Sequence, residues 1–126
     1  MPILVCIAGL SGCYASTDYD RYPEGVEVQR QQVVREWVAD DAKVTFRENG
    51  SFSAIHLQLE YFECPLGGVR EKSGDGSWSL LKGNGGSEII VQFGDGCSGT
   101  LRAGERDDKS VLWGSYSDRD DVLILK

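Results

Sequence analysis

His56 is the single histidine of this 126-residue chain, and Gln58 and Glu60 follow it at alternate positions. In a strand that spacing sets all three on one side, where a carboxylate can hold an imidazole as a general base. The competing reading is a plain solvent-facing polar side. Ser98 follows the glycine turn Gly94-Asp95-Gly96, as a nucleophile could, but the G-x-S-x-G elbow is absent. The pairs Asp40-Asp41, Asp107-Asp108 and Asp120-Asp121 lack the D-x-[DN]-x-[DN]-G spacing of a calcium loop. Aspartate suits turns because it bonds to nearby backbone, and only the denser group Asp118, Asp120 and Asp121 is a candidate for a weak ion site. No phosphate-binding, dinucleotide or zinc-protease motif is present. These residues point to a domain without catalysis, cofactor or resident metal.

Cysteine chemistry is more informative. Residues 2–10, "PILVCIAGL", have the length of a signal-peptide apolar region, and Leu10-Ser11-Gly12-Cys13 resembles a bacterial lipobox. There the thiol of Cys13 is acylated and becomes the first residue of the mature chain. No Lys or Arg precedes Cys13, so either upstream residues are missing or the signal is weak. The alternative is a first buried strand over residues 3–10. Cys6 would leave with the signal, which leaves Cys64 and Cys97. Those two can form one disulfide in an oxidising compartment, with two buried free thiols as the alternative. Neither has a further Cys or His at zinc-ligand spacing.

The bulk chemistry narrows the partners. Net charge is −7, and Lys and Arg are scattered, which argues against nucleic acid and against unaided binding to anionic lipid. Acyl chains on Cys13 would hold such a domain at a membrane that it would otherwise leave. No apolar run reaches the ~18 residues that span a bilayer. At 40% hydrophobic and 26% charged, the chain suits one folded domain rather than a disordered segment.

The elements that would carry these residues are mostly short strands. Residues 14–25 lack an apolar period and read as a tether, roughly 40 Å long if extended. Val33, Val34 and Trp37 suit a short helix, with strand equally open from Trp37. From Val44 the period becomes two. Asn49-Gly50 predicts a type I′ hairpin turn. "SFSAIHLQLEYF" is the longest strand, with Ile55, Leu57, Leu59 and Tyr61 on one face; Phe52 and Ala54 fall on the other phase, so a bulge is expected near Ala54-Ile55. Residues 63–76 read as a loop with a turn at Gly74-Asp75-Gly76, and further strands follow to "VLILK". About eight strands result. The expected core is Val44, Phe46, Ile55, Leu57, Leu59, Trp78, Leu80, Ile89, Val91, Phe93, Trp113, Val122 and Ile124. Trp37, Trp78 and Trp113 are either core or the lining of a ligand pocket.

The order "VVREWV", "VTFRENGSFSA", "GDGSWSLL", "EIIVQFGDG" and "SDRDDVLILK" resembles the small lipocalin-like lipoproteins of actinobacteria. Arg35 stands where those chains prefer glycine. The resemblance, over residues 33–126, implies an all-β antiparallel meander barrel behind a lipobox. An eight-stranded barrel is either filled by side chains or just holds one small ligand. The expected layout is residues 1–12 as signal peptide, 13–30 as lipidated cysteine and tether, and 31–126 as the barrel. The expected role is binding, at the extracytoplasmic membrane face and as a monomer, of a small apolar ligand or an envelope protein. The other reading is an inhibitor, immunity or exclusion lipoprotein, with loop 63–76 or 102–110 as its contact; a hydrolase using His56 and a carboxylate ranks below both.

Overall fold

The computed structural model describes residues 22–115 and 122–126. Its elements are β1 (Glu24–Gly25), one helical turn α1 (Arg30–Val33), β2 (Glu36–Ala39), β3 (Ala42–Phe46), β4 (Ser51–Phe62), β5 (Val69–Gly83), β6 (Gly86–Phe93), β7 (Ser98–Arg106), β8 (Lys109–Ser115) and β9 (Val122–Leu125). Strands β2 to β9 neighbour one another in chain order, each antiparallel to the next. Twist carries the last strand round to the first. There the Val38 N–H donates to the Lys126 carbonyl (3.0 Å) and the Lys126 N–H donates back (2.9 Å). That exchange nearly closes the expected eight-stranded barrel and covers part of two edges.

Alternation fills the interior. Val44 and Phe46 of β3, Trp78 of β5, Ile89, Val91 and Phe93 of β6, and Leu101 of β7 point inward and join one cluster. Five aromatic rings run through it in file. Trp78 meets Phe46 at 5.2 Å, Phe46 meets Phe52 at 6.2 Å, Phe52 meets Phe93 at 5.0 Å and Phe93 meets Phe62 at 5.7 Å, mostly edge to face. That geometry favours ring pairs beyond their buried area.

The N-terminal segment joins the barrel earlier than the tether boundary at residue 30 implied. β1 pairs with the end of β7, Glu24 opposite Glu105 and Gly25 opposite Gly104. Val26 and Val28 pack against the core, and the Val28 N–H donates to the buried Ser87 hydroxyl at 2.9 Å. In α1, Gln32 Oε1 accepts from the Gln29 N–H at 2.7 Å, satisfying one donor that the first turn leaves free. The helix then presents Val33 to the core, and its carbonyl accepts from Trp37 Nε1–H at 3.0 Å. Arg30 lies 4.2 Å over the Trp78 ring and donates to the Glu48 carbonyl, so α1 covers the barrel end that carries the β3–β4 turn.

The structure bears out one expectation about β4 and corrects several others. The predicted bulge is present: register breaks between Ala54 and Leu57, and again between Gln58 and Phe62. The first break leaves Leu57 and Leu59 buried but turns Ile55 outward; the second exposes Tyr61 and buries Phe62. In β9 the buried residues are Leu123 and Leu125, with Val122 and Ile124 half-buried, the reverse of the expected phase. Leu80 is also only half-buried. At Asn49-Gly50 only Gly50 has positive φ, and the Arg47 N–H donates to the Ser51 carbonyl. That is a three-residue loop with a bulge, not a type I′ turn. The two-residue turn with both centres left-handed is Asp107-Asp108. Residues 69–76, expected in a loop, belong to β5. Gly76 there permits close packing rather than a turn, because a Cβ would collide with the Gln92 carbonyl.

Candidate functional site

The first bulge of β4 builds the one polar constellation around the histidine. His56 has φ 51°, a left-handed backbone that a bulge imposes. Its N–H donates to the Ser73 hydroxyl at 2.9 Å. Its ring Nδ1 lies 3.0 Å from Glu71 Oε2, while Gln58 Nε2 donates to Glu71 Oε1 at 3.0 Å. The Glu71 hydrogen bond raises the His56 pKa above the ordinary 6.5, helped by the charges of Glu71 and Asp41. The bonds from His56 and Gln58 lower the Glu71 pKa in turn. About half of each side chain is exposed, so the pair stands on the outer wall. The carboxylate that meets the ring is Glu71 of β5.

Ser98 is elsewhere. It exchanges backbone hydrogen bonds with Glu63 (2.9 and 2.8 Å), tying the end of β4 to the start of β7. Ser98 lines an open cleft of about 350 Å³ with Tyr61, Glu63, Ile90, Thr100 and Arg102, and Leu59 lies at its base. Arg102 is held there by Glu88 at 3.0 Å. His56 does not line this cleft, so the structure does not bring the histidine and the serine into one site. A second cleft of about 390 Å³ lies at the β2–β9 seam, lined by Val38, Ala39, Asp40, Val122, Leu123, Ile124 and Lys126.

The tryptophans divide. Trp37 and Trp78 are buried, with indole N–H groups donating to the Val33 and Arg47 carbonyls. Both belong to the buried core cluster, and neither lines either of these two clefts. Trp113 departs from the expected core. It faces outward opposite Arg102 and packs against Tyr22 at 5.5 Å, half-buried, with Nε1 lacking a partner among the described residues.

Cys64 and Cys97 form a disulfide, with Cα atoms 4.0 Å apart. Asp95 Oδ1 accepts from the Cys97 N–H at 3.0 Å, and its other oxygen pairs with Lys72; both contacts hold its pKa below the usual carboxylate range. Asp40, Asp107 and Asp108 serve left-handed turn positions. No group of three metal-capable side chains occurs among the described residues. Cys13, the expected signal segment, most of the expected tether, and Asp118, Asp120 and Asp121 lie outside the described residues.

Glu71 and the Tyr61 cleft were not legible in the sequence. The first half of β5, "VREKSGDG", has no apolar alternation because nearly every residue there is exposed. Tyr61 leaves the face of Leu57 and Leu59 because of the second register break, which has no mark in residue types. No protein-family model, curated protein or solved structure matches the chain. No helix among the described residues is long and apolar enough to cross a membrane.

Proposed function

We propose that this chain is a lipid-anchored, extracytoplasmic, non-catalytic barrel domain that binds a protein partner of the cell envelope through its outer surface. The observation that carries the binding mode is the file of rings from Trp78 to Phe62, which occupies the space where a lipocalin-like carrier would hold its ligand. An eight-stranded barrel has interior room for side chains or for a small ligand, and this file of rings favours the first. The concave features described above open on the outside. The Cys64–Cys97 disulfide supports an oxidising compartment, and Leu10-Ser11-Gly12-Cys13 supports acylation there. A chain of net charge −7 favours a basic partner through long-range attraction, which suits an inhibitor, immunity or exclusion role.

Two measurements test this reading. The full chain, grown with a palmitate analogue, should take up label and sediment with membranes, and Cys13→Ser should abolish both. Native mass spectrometry of residues 14–126 from an oxidising compartment should give a clean apo mass. A retained apolar molecule would instead make the domain a small-ligand carrier, and a Cys13-independent membrane fraction would remove the anchor.

A further inference from the structure

We propose that the cleft between the end of β4 and the start of β7 is a saccharide site, holding a neutral sugar ring on Tyr61 with Glu63 and Arg102 on its hydroxyls. The inference goes beyond the partner-binding reading and does not depend on it.

The cleft exists because strands part at one place. The end of β4 crosses to pair Glu63 with Ser98, whereas the β7–β8 ladder stops at Arg102 opposite Trp113. Thr100 lies between those pairings and has no ladder partner on that edge among the described residues. The gap opens about 350 Å³ with Leu59 at its base and Ile90 on its β6 side. Small-ligand sites begin at about that size.

The lining excludes several ligand classes. Among the described residues Arg102 is the one cation lining the cleft, and Glu88 already holds it at 3.0 Å. The Glu63 carboxylate then leaves the cleft acidic, which disfavours phosphate and carboxylate ligands. No group of three metal-capable side chains occurs among the described residues. A wholly apolar guest would strip water from the Tyr61, Ser98 and Thr100 hydroxyls and from both charged groups without replacing it.

A neutral ligand with hydroxyls and an apolar face fits what remains. Each sugar hydroxyl both donates and accepts. A carboxylate only accepts and a guanidinium only donates, so Glu63 and Arg102 together serve both needs. Both groups are planar and can span two adjacent hydroxyls. Glu88 engages only Nη1 of Arg102, and the guanidinium lies 6.0 Å from the Trp113 ring, so it is positioned with donors to spare. Tyr61 supplies the apolar contact. Its side chain is 59% exposed, yet its ring packs against Gly68, where a Cβ would overlap it. The C–H face of a sugar carries slight positive charge and settles on the negative face of such a ring.

The test is an NMR titration of the full chain, isotope-labelled and with its disulfide formed. The probes are neutral trisaccharides of glucose, mannose, galactose or N-acetylglucosamine, with trigalacturonate and trialanine as acidic and peptide comparisons. At least one neutral trisaccharide should saturate below about 10 mM, moving amides of Tyr61, Ser98, Gly99, Thr100 and Gly114 but not of His56. Tyr61→Ala, whose own spectrum reports its fold, should weaken that binding at least about tenfold. Tyr61→Phe keeps the ring and should lose less than about threefold. Leu81→Ala, on the exposed wall of β5, should bind as the unaltered chain does. Saturation by none of the neutral sugars, tighter binding of trigalacturonate or trialanine, shifts confined to other residues, or an affinity unmoved by Tyr61→Ala overturns the assignment. The partner-binding reading stands under each of those results.

Discussion

Gly99 of β7 lies against the ring of Phe62. A Cβ at that position would stand 2.8 Å from Phe62 Cδ1 and 3.0 Å from Leu59 Cδ1. Both side chains are buried in the core, and the Phe62 ring, wholly buried against Phe93, has no room to turn away. Gly99→Ala is therefore expected to destabilise the domain by about 1–3 kcal/mol through overpacking. Urea unfolding of the two proteins measures this directly. A loss below about 0.5 kcal/mol would mean that the end of β4 yields and is not firmly seated on β7.

That contact also shows which part of the fold was legible in the sequence. Where one face of a strand is buried and the other wet, as in β3 and β6, alternation marks Val44, Phe46, Ile89, Val91 and Phe93 correctly. Where a bulge changes the phase, residue types no longer report the face. Ile55, expected in the core, stands outside for that reason, and Tyr61 leaves the face it was expected to share with Leu57 and Leu59. In β9 four apolar residues in a row carry no phase at all, and the barrel chose Leu123 and Leu125. Of the site, the cysteine pair could be counted. The Glu71 partner of His56 depends on β5 register, which an exposed, polar strand does not encode.

Phe52 sits mid-file between Phe46 and Phe93 and is wholly buried. Phe52→Ala removes the ring and leaves a void that its neighbours cannot fully collapse, at a cost of about 3–5 kcal/mol. The same void should make the barrel a receptor for a small aromatic guest such as benzene, raising the melting temperature of the variant but not of the parent. Calorimetric scans with and without benzene check both halves. Stabilisation of the unaltered protein by benzene would mean that its interior already holds free space.

The His56–Glu71 pair predicts a pH window. His56 has its folded-state pKa raised above 6.5, so its stabilising contribution is full below 6.5 and is lost as pH rises through the raised value. Glu71 is lowered below 4.5, so its contribution is present above 4.5 and is lost as pH falls through the lowered value. The pair is thus strongest between the two. Both groups are solvent-exposed, so the readout is titration rather than melting. An NMR titration of the His56 ring should show a midpoint above 6.5 that returns toward it in Glu71→Gln. An equal midpoint in both proteins would show that the contact does not persist in solution.

Cys64 and Cys97 close a 34-residue loop that contains all of β5 and β6. Cross-linking restricts the unfolded chain, and for a loop of this length the stabilisation is about 3–4 kcal/mol. The native loop does not depend on the bond alone. Glu63 and Ser98 still exchange two backbone hydrogen bonds beside it, and Asp95 still accepts from the Cys97 N–H. Cys64→Ala/Cys97→Ala should therefore keep the fold while unfolding at lower urea, and amide shifts should change mainly near residues 62–69 and 93–99. Alanine is the better replacement because Cys97 is buried and a serine hydroxyl there would lose its water without a partner. Reductant should bring the unaltered protein to the midpoint of the double variant and leave the variant unmoved. A difference under about 1 kcal/mol would mean that the unfolded chain already brings these two segments together without the bond.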